Sequence, residues 1–215
     1  MKRLTLFLGH YGSGKTNIAI NYAKFLKTKY DDVVIADIDI VNPYFRTKDS
    51  EKELEESGIK LISLPFANTN VDLPALPAEV YSIVQNHTTH AVMDIGGDDR
   101  GAYALGRYVP YIVEENNFDA LFVVNFYRPL TQDAESAYEV MGEIESACGL
   151  KLTGIVNNSN IGELTKESDV LKTIPEAEKL SQISGLPVIM TCAEKSIADN
   201  SDNNFFPLTL QKKPF

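Results

Sequence analysis

Gly9-His10-Tyr11-Gly12-Ser13-Gly14-Lys15-Thr16 fits the pattern G-x-x-x-x-G-K-[ST]. The apolar run Leu4-Thr5-Leu6-Phe7-Leu8 precedes it, and Ile18, Tyr22 and Leu26 follow at intervals of four residues. Strand, glycine loop and helix in that order form the context a phosphate-binding loop requires. The glycines let the backbone wrap close to a phosphate with its N–H groups turned inward. A helix starting near Lys15 adds its positive dipole end. Lys15 is then expected to reach the β- and γ-phosphates, and the Thr16 hydroxyl to ligate Mg²⁺. The whole octet, with Asn17 directly after it, is the expected nucleotide-binding segment.

Outward from the loop, the next apolar run is Val33-Val34-Ile35-Ala36, β-branched and suited to a buried parallel strand. It runs into Asp37-Ile38-Asp39. Ligands of open α/β sheets gather beyond the carboxyl ends of the strands, so Asp37 and Asp39 are candidates for metal and attacking water. A third strand-like run, His90-Ala91-Val92-Met93, ends in Asp94, where a carboxylate can hold Mg²⁺ through water. Ile95-Gly96-Gly97 follows at once. A glycine pair there lets a backbone N–H approach the γ-phosphate and lets the segment change conformation after hydrolysis. Asp98, Asp99 and Arg100 read equally well as part of that switch or as a charged turn.

Further apolar runs at Lys60–Leu64, Asp119–Asn125, Leu152–Val156 and Leu186–Met190 alternate with helical patterns. Those helices are expected at Ser50–Ser57, Pro77–Gln85, Ala102–Glu114, Gln132–Cys148 and Pro175–Ser184. Thr131 is the expected cap of the fourth. About seven strands alternating with helices predict one α/β domain over 1–215, a P-loop fold with a mostly parallel sheet and helices on both faces. Asn157-Asn158-Ser159-Asn160 stands at the end of a late strand, and Asn158 can both donate to and accept from a purine edge. The N-K-x-D of a guanine-reading loop is absent. The stretch 65–77 is a candidate lid or recognition loop, with a plain surface loop as the other reading. The run 203–215 reads as packing over a sheet edge or an interface, undecided by its composition.

Composition sets limits. At 44% apolar and 23% charged residues the chain has the balance of a water-soluble globular protein. No apolar run approaches the roughly 20 residues of a membrane span. Met1-Lys2-Arg3 leads straight into the first strand, without a signal-peptide pattern, so a cytoplasmic location is expected. A net charge of −10 argues against binding to DNA or an anionic membrane. Cys148 and Cys192 lack a CxxC partner and are expected to be buried thiols.

With these motifs in place the chain resembles the MinD/ParA-like P-loop ATPases, the CobQ/CobB/MinD/ParA nucleotide-binding domain, over nearly its whole length. The resemblance rests on residues 9–16, on Asp37-x-Asp39, on Asp94 with Gly96-Gly97, and on Asn158. It implies a Mg²⁺-dependent ATPase binding ATP and ADP, with Asp39 positioning the hydrolytic water and Asn158 contacting adenine. It also implies a nucleotide-dependent homodimer and a nucleotide-dependent action on a protein partner. The family's K-G-G-x-G-K-T carries a lysine that reaches into the partner subunit, but here His10 and Tyr11 replace that lysine and the next glycine. A neutral or part-charged imidazole is a poor substitute for a fixed ammonium. Two alternatives share the fold: an ATP-dependent small-molecule ligase or kinase resembling dethiobiotin synthetase or cobyrinate amidase, and a nucleotide-gated regulator or maturation factor.

Overall fold

A computed structural model describes residues 1–38, 50–63, 78–97 and 104–211. Asp39, the stretch 65–77 and the charged run Asp98-Asp99-Arg100 lie outside the described residues.

The strands are β1 (Leu4–Leu8), β2 (Val33–Ile38), β3 (Lys60–Ser63), β4 (His90–Ile95), β5 (Phe118–Val124), β6 (Gly154–Asn157), β7 (Val188–Glu194) and β8 (Phe206–Leu208). They form one sheet in the order β3-β2-β4-β1-β5-β6-β7-β8. Every described pairing is parallel. Parallel neighbours need crossover connections, and helices α1 (Lys15–Lys27), α2 (Glu51–Glu56), α3 (Ala78–Gln85), α4 (Val109–Glu115), α5 (Ala134–Cys148), α6 (Glu167–Leu171), α7 (Ile174–Ser184) and α8 (Lys195–Ala198) fall between the strands.

The sheet is covered on both faces, which is why its strands read as continuous apolar runs. Leu4, Leu6 and Leu8 of β1 point to one side, with Val34, Ala36, Met93 and Ile95, and pack with Ala137 and Met141 of α5 and Leu180 of α7. Phe7 points to the other side, with Val33, Ile35 and Val92, and packs against Ile18, Tyr22 and Leu26 of α1. The four-residue spacing of that helix is therefore its core face. This parity matters for the site. Asp37 and Asp94 continue the Ile35 and Val92 series, so both belong to the face that α1 covers.

The eighth strand is not expected from the sequence. It has three residues with Pro207 in the middle, and a proline that cannot donate to a ladder is tolerated at an edge. The cap of α5 is also corrected. Asp133, not Thr131, accepts the Ser136 N–H at 2.8 Å, and its hydrogen bonds from Ser136 hold the Asp133 carboxyl below its ordinary range. Thr131 closes a short 3-10 turn (Pro129–Thr131) and donates to the Asn125 carbonyl at 2.8 Å. Pro110 sits in the first turn of α4, where its missing N–H costs nothing. Strand β6 starts later than its apolar run because Thr153 bonds sideways to Ala120, through Thr153 N–H at 2.8 Å and Thr153 Oγ1 at 2.9 Å. Both cysteines are free and buried, and burial pushes both thiols up. No helix among the described residues is long and apolar enough to cross a membrane.

Candidate nucleotide site

The glycine loop turns between the end of β1 and the start of α1. Its backbone needs glycine at two places. Gly12 has φ +79° and Gly14 has φ +89°, both in the left-handed region. Gly14 is also the N-cap of α1, and no side chain caps that helix or places an acid in its first turn. The amino end of this 13-residue helix, the positive end of its dipole, thus opens on the glycine loop. Ser13 is buried, and its Oγ has no hydrogen-bond partner among the described residues. Lys15 is 6% exposed, and its Nζ donates to the His10 carbonyl at 3.2 Å, folding the ammonium back over the loop.

Three elements lock the loop from outside. From β4, Gly97 presses against it so closely that an added Cβ would lie 2.6 Å from Tyr11 N and 2.8 Å from both Gly9 O and Lys15 Nζ. From the end of β6, Asn158 donates its Nδ2 hydrogen to the Ser13 carbonyl at 2.7 Å. A Cβ on Gly14 would lie 2.3 Å from that same nitrogen. From the turn after β5, Arg128 donates Nε–H to the Gly12 carbonyl at 3.0 Å. Gly9 passes just as close to β5, since a Cβ there would meet the Val123 carbonyl at 2.4 Å.

A cavity of about 440 Å³ opens on the loop. Of the residues expected from sequence, Tyr11, Gly12, Gly14, Lys15, Thr16, Asn17 and Asn158 line it. Arg128, Asn160, Gly162, Glu163, Leu208, Leu210 and Gln211 complete it. Tyr11 stands exposed at the rim. His10 is partly exposed, its Nδ1 3.1 Å from the Tyr11 carbonyl. Gly9, Asp37, Asp94 and Gly97 do not line the cavity. Sequence reasoning missed Arg128 and the residues after β8. The missing signal for Arg128 is that nothing around it in the chain marks an arginine bound to a loop 116 residues away.

No known family model and no curated protein sequence matches the chain. Solved structures do match. The cell division protein FtsY of Thermotoga maritima superposes with a TM-score of 0.60 at 16% identity, covering 90% of this chain and 62% of that one. The 54 kDa signal recognition particle protein of Aeropyrum pernix K1, in complex with GDP, gives 0.52 at 14% identity, covering 88% of this chain and 41% of that one. FtsY of Elizabethkingia anophelis, in complex with GDP, gives 0.54 at 14% identity, covering 99% and 61%. The fold, a parallel α/β sheet of the P-loop type, is shared with these structures. The chain spans less than two thirds of the length of these structures, and at such identities the likeness concerns the fold alone.

In this P-loop fold the donors available for a divalent cation are all oxygens. Thr16 is buried at the first turn of α1. Asp37 and Asp94 are register partners on neighbouring strands, both buried, with Asp94 only 1% exposed. They share the sheet face that α1 covers. Two carboxylates side by side away from water are costly without compensating positive charge. A hydroxyl and two carboxylates make the hard oxygen set that suits Mg²⁺. The residues therefore fit the ion.

Proposed function

We propose that this chain is a Mg²⁺-dependent nucleoside-triphosphatase whose nucleotide state acts on a protein partner. The observation that carries the proposal is the uncapped amino end of α1 beneath a glycine loop into which Lys15 is folded. Loop N–H groups and Lys15 would bind the phosphates and stabilise the charge that grows on the transferring group. Thr16 would ligate Mg²⁺ directly, and Asp37 and Asp94 would complete its surroundings. The ion would supply neutralisation of the β- and γ-phosphate oxygens. Asp39 would orient the attacking water. Gly97, wedged against Lys15 and Tyr11, would pass a change at the γ-phosphate to the segment after β4.

ATP is the nucleotide we favour, on the adenine contact expected of Asn158 and the absence of N-K-x-D. With Nδ2 engaged on Ser13, Asn158 would meet adenine through Oδ1, accepting from the exocyclic amine. A specific observation favours guanine as the second reading. Glu163 lines the cavity, and a carboxylate can accept from both donors on guanine's edge. Two of the similar structures are complexes with GDP.

The MinD/ParA-like resemblance supports a nucleotide-dependent homodimer. Arg128 would then provide, from the same chain, the fixed positive charge that His10 lacks. The cytoplasm, rich in nucleotide and Mg²⁺, is the compartment this reading implies.

Calorimetric titration with ATP and GTP in the presence of Mg²⁺, with molar mass read by light scattering, tests the proposal. Tight binding of one nucleotide, lost in Lys15→Ala, is expected. Asp39→Ala should bind nucleotide normally and hydrolyse it slowly. Normal turnover by Lys15→Ala would overturn the site assignment.

A further inference from the structure

The phosphate loop accounts for one end of the cavity only. Leu208, Leu210 and Gln211 line it as well, and nothing in a phosphate site calls for leucines. Leu210 is 41% exposed, an apolar side chain left uncovered at a cavity. Leu208 is buried. The two are separated by a single residue on the stretch that continues β8, a spacing that places side chains on one face of an extended chain.

This stretch is held by the helix that begins at the phosphate loop. Asn21 grips it with both ends of its amide. Its Oδ1 accepts the Thr209 N–H at 2.9 Å, and its Nδ2 donates to the Thr209 carbonyl at 3.0 Å. One turn closer to the loop, Asn17 Oδ1 accepts the Gln211 N–H at 3.2 Å. Asn21 Nδ2 also donates to the Asn17 carbonyl at 2.8 Å. Gln211 Nε2 in turn donates to Ser50 Oγ at 2.8 Å, at the start of α2. Asparagines four apart on one helix face thus dock the backbone that runs on from β8. Asparagine mimics a ladder partner because its amide offers both a donor and an acceptor.

We infer that residues 208–211 are the nucleobase wall of the site. Leu210 takes the flat apolar face of a purine, with Leu208 behind it in the core that α1 covers, and the purine edge is turned to the polar side chains of Asn158, Asn160 and Glu163. Asn17 and Asn21 are positioning residues for that wall. The inference rests on the proposal that residues 9–16 bind the phosphates. It adds a consequence: occupancy of the base position and docking of this stretch are thermodynamically linked, so a nucleotide protects the Thr209 and Gln211 amides from hydrogen exchange.

The test compares two probes. Mg²⁺ with the tighter-binding of ATP and GTP has phosphates and a base, whereas Mg²⁺ with inorganic tripolyphosphate has phosphates alone. Leu210→Ala and Asn21→Ala are expected to weaken the nucleotide roughly fivefold or more, through lost apolar contact and a loosened wall. Tripolyphosphate affinity should move less than about twofold. Exchange at Thr209 and Gln211 should slow with nucleotide and not with tripolyphosphate. Unchanged nucleotide affinity in both variants, or equal weakening of both probes, overturns the inference. If wild-type protein binds neither probe, or Lys15→Ala leaves both affinities intact, the phosphate-site proposal itself fails, and the wall falls with it.

Discussion

Arg128 reaches back from the turn after β5 and donates its Nε hydrogen to the Gly12 carbonyl at 3.0 Å. The guanidinium also lies along Gly12, with Nε 3.5 Å from where a Cβ would stand. Its backbone is fixed at the same time, because Arg128 N–H donates to the Asn125 carbonyl at 3.0 Å and the Arg128 carbonyl accepts from Thr131 at 3.0 Å. An arginine so anchored lines the cavity and has less orientational freedom to lose than a free one. It is a fixed cation beside a loop whose second position, His10, carries no fixed charge.

From this geometry we expect Arg128→Ala to lower kcat for nucleotide hydrolysis by at least roughly tenfold, with a smaller change in nucleotide affinity. Arg128→Lys should recover little, since an ammonium cannot keep the Gly12 bond and reach into the cavity together. Steady-state hydrolysis alongside equilibrium binding separates the two effects. Wild-type kcat in Arg128→Ala would remove the residue from the mechanism.

Gly97 makes a second prediction. A methyl group there collides with Tyr11 N, Gly9 O and Lys15 Nζ at once, and two of these are backbone atoms that cannot rotate away. Overpacking of this kind costs about 1–3 kcal/mol. Gly97→Ala should weaken nucleotide binding roughly tenfold while the fold survives, as read by titration and circular dichroism. Binding equal to wild type would mean that the loop and β4 separate freely.

The contact between Gly14 and Asn158 predicts non-additivity. Gly14→Ala brings two penalties, a collision with Asn158 Nδ2 and a side chain at φ +89°. Only the first disappears in an Asn158→Ala background. The double variant should therefore lose less stability than the sum of the single losses, by about 0.5–3 kcal/mol. Urea unfolding of the four proteins measures it, and simple additivity would contradict the close approach of the two residues.

Far from the site, Arg3 and Glu115 form a buried bidentate ion pair. Arg3 also donates to the Ile83 carbonyl at 3.0 Å and the Thr89 carbonyl at 2.9 Å. The hydrogen bond from Arg3 holds the Glu115 carboxyl below its ordinary 4.5. A carboxyl depressed in the folded state stabilises fully above its unfolded pKa and loses that contribution as pH falls through the folded value. Thermal stability should thus drop as pH falls below about 4.5, and Glu115→Gln should flatten that part of the profile. Burial, followed by Arg3, lowers the His90 pKa, which adds acid sensitivity of the same sign below about 6.5. Arg3→Ala strands the carboxylate and should cost about 3 kcal/mol at neutral pH.

The phosphate loop was legible because its signal is local. Strand, glycines, lysine and helix lie within consecutive residues, and the structure has a strand at Leu4–Leu8, a glycine turn and a helix from Lys15 there. The positions of Asp37 and Asp94 were legible for the same reason, since a carboxylate ending an apolar run marks a strand's carboxyl end. Contacts across the sheet were not. Asn158 offered a donor and an acceptor for a base, yet the donor closes onto Ser13, a choice that depends on how near β6 passes to the loop. Strand β8 escaped because three residues around Pro207 carry no period, and its continuation is held by asparagine side chains of α1. The fifth helix was expected to be capped by Thr131, but Thr131 is drawn into the preceding turn and Asp133, the residue next to the helix, takes the cap.

On the proposed function, the uncapped end of α1 and Lys15 hold the phosphates of a nucleotide. The most direct test is equilibrium binding of Mg²⁺ with ATP and with GTP to wild-type protein and to Lys15→Ala. Saturable one-site binding of at least one nucleotide to wild type is expected, weakened by roughly a hundredfold or more when the buried ammonium is removed. Absence of binding to wild type, or equal affinity in Lys15→Ala, would contradict it.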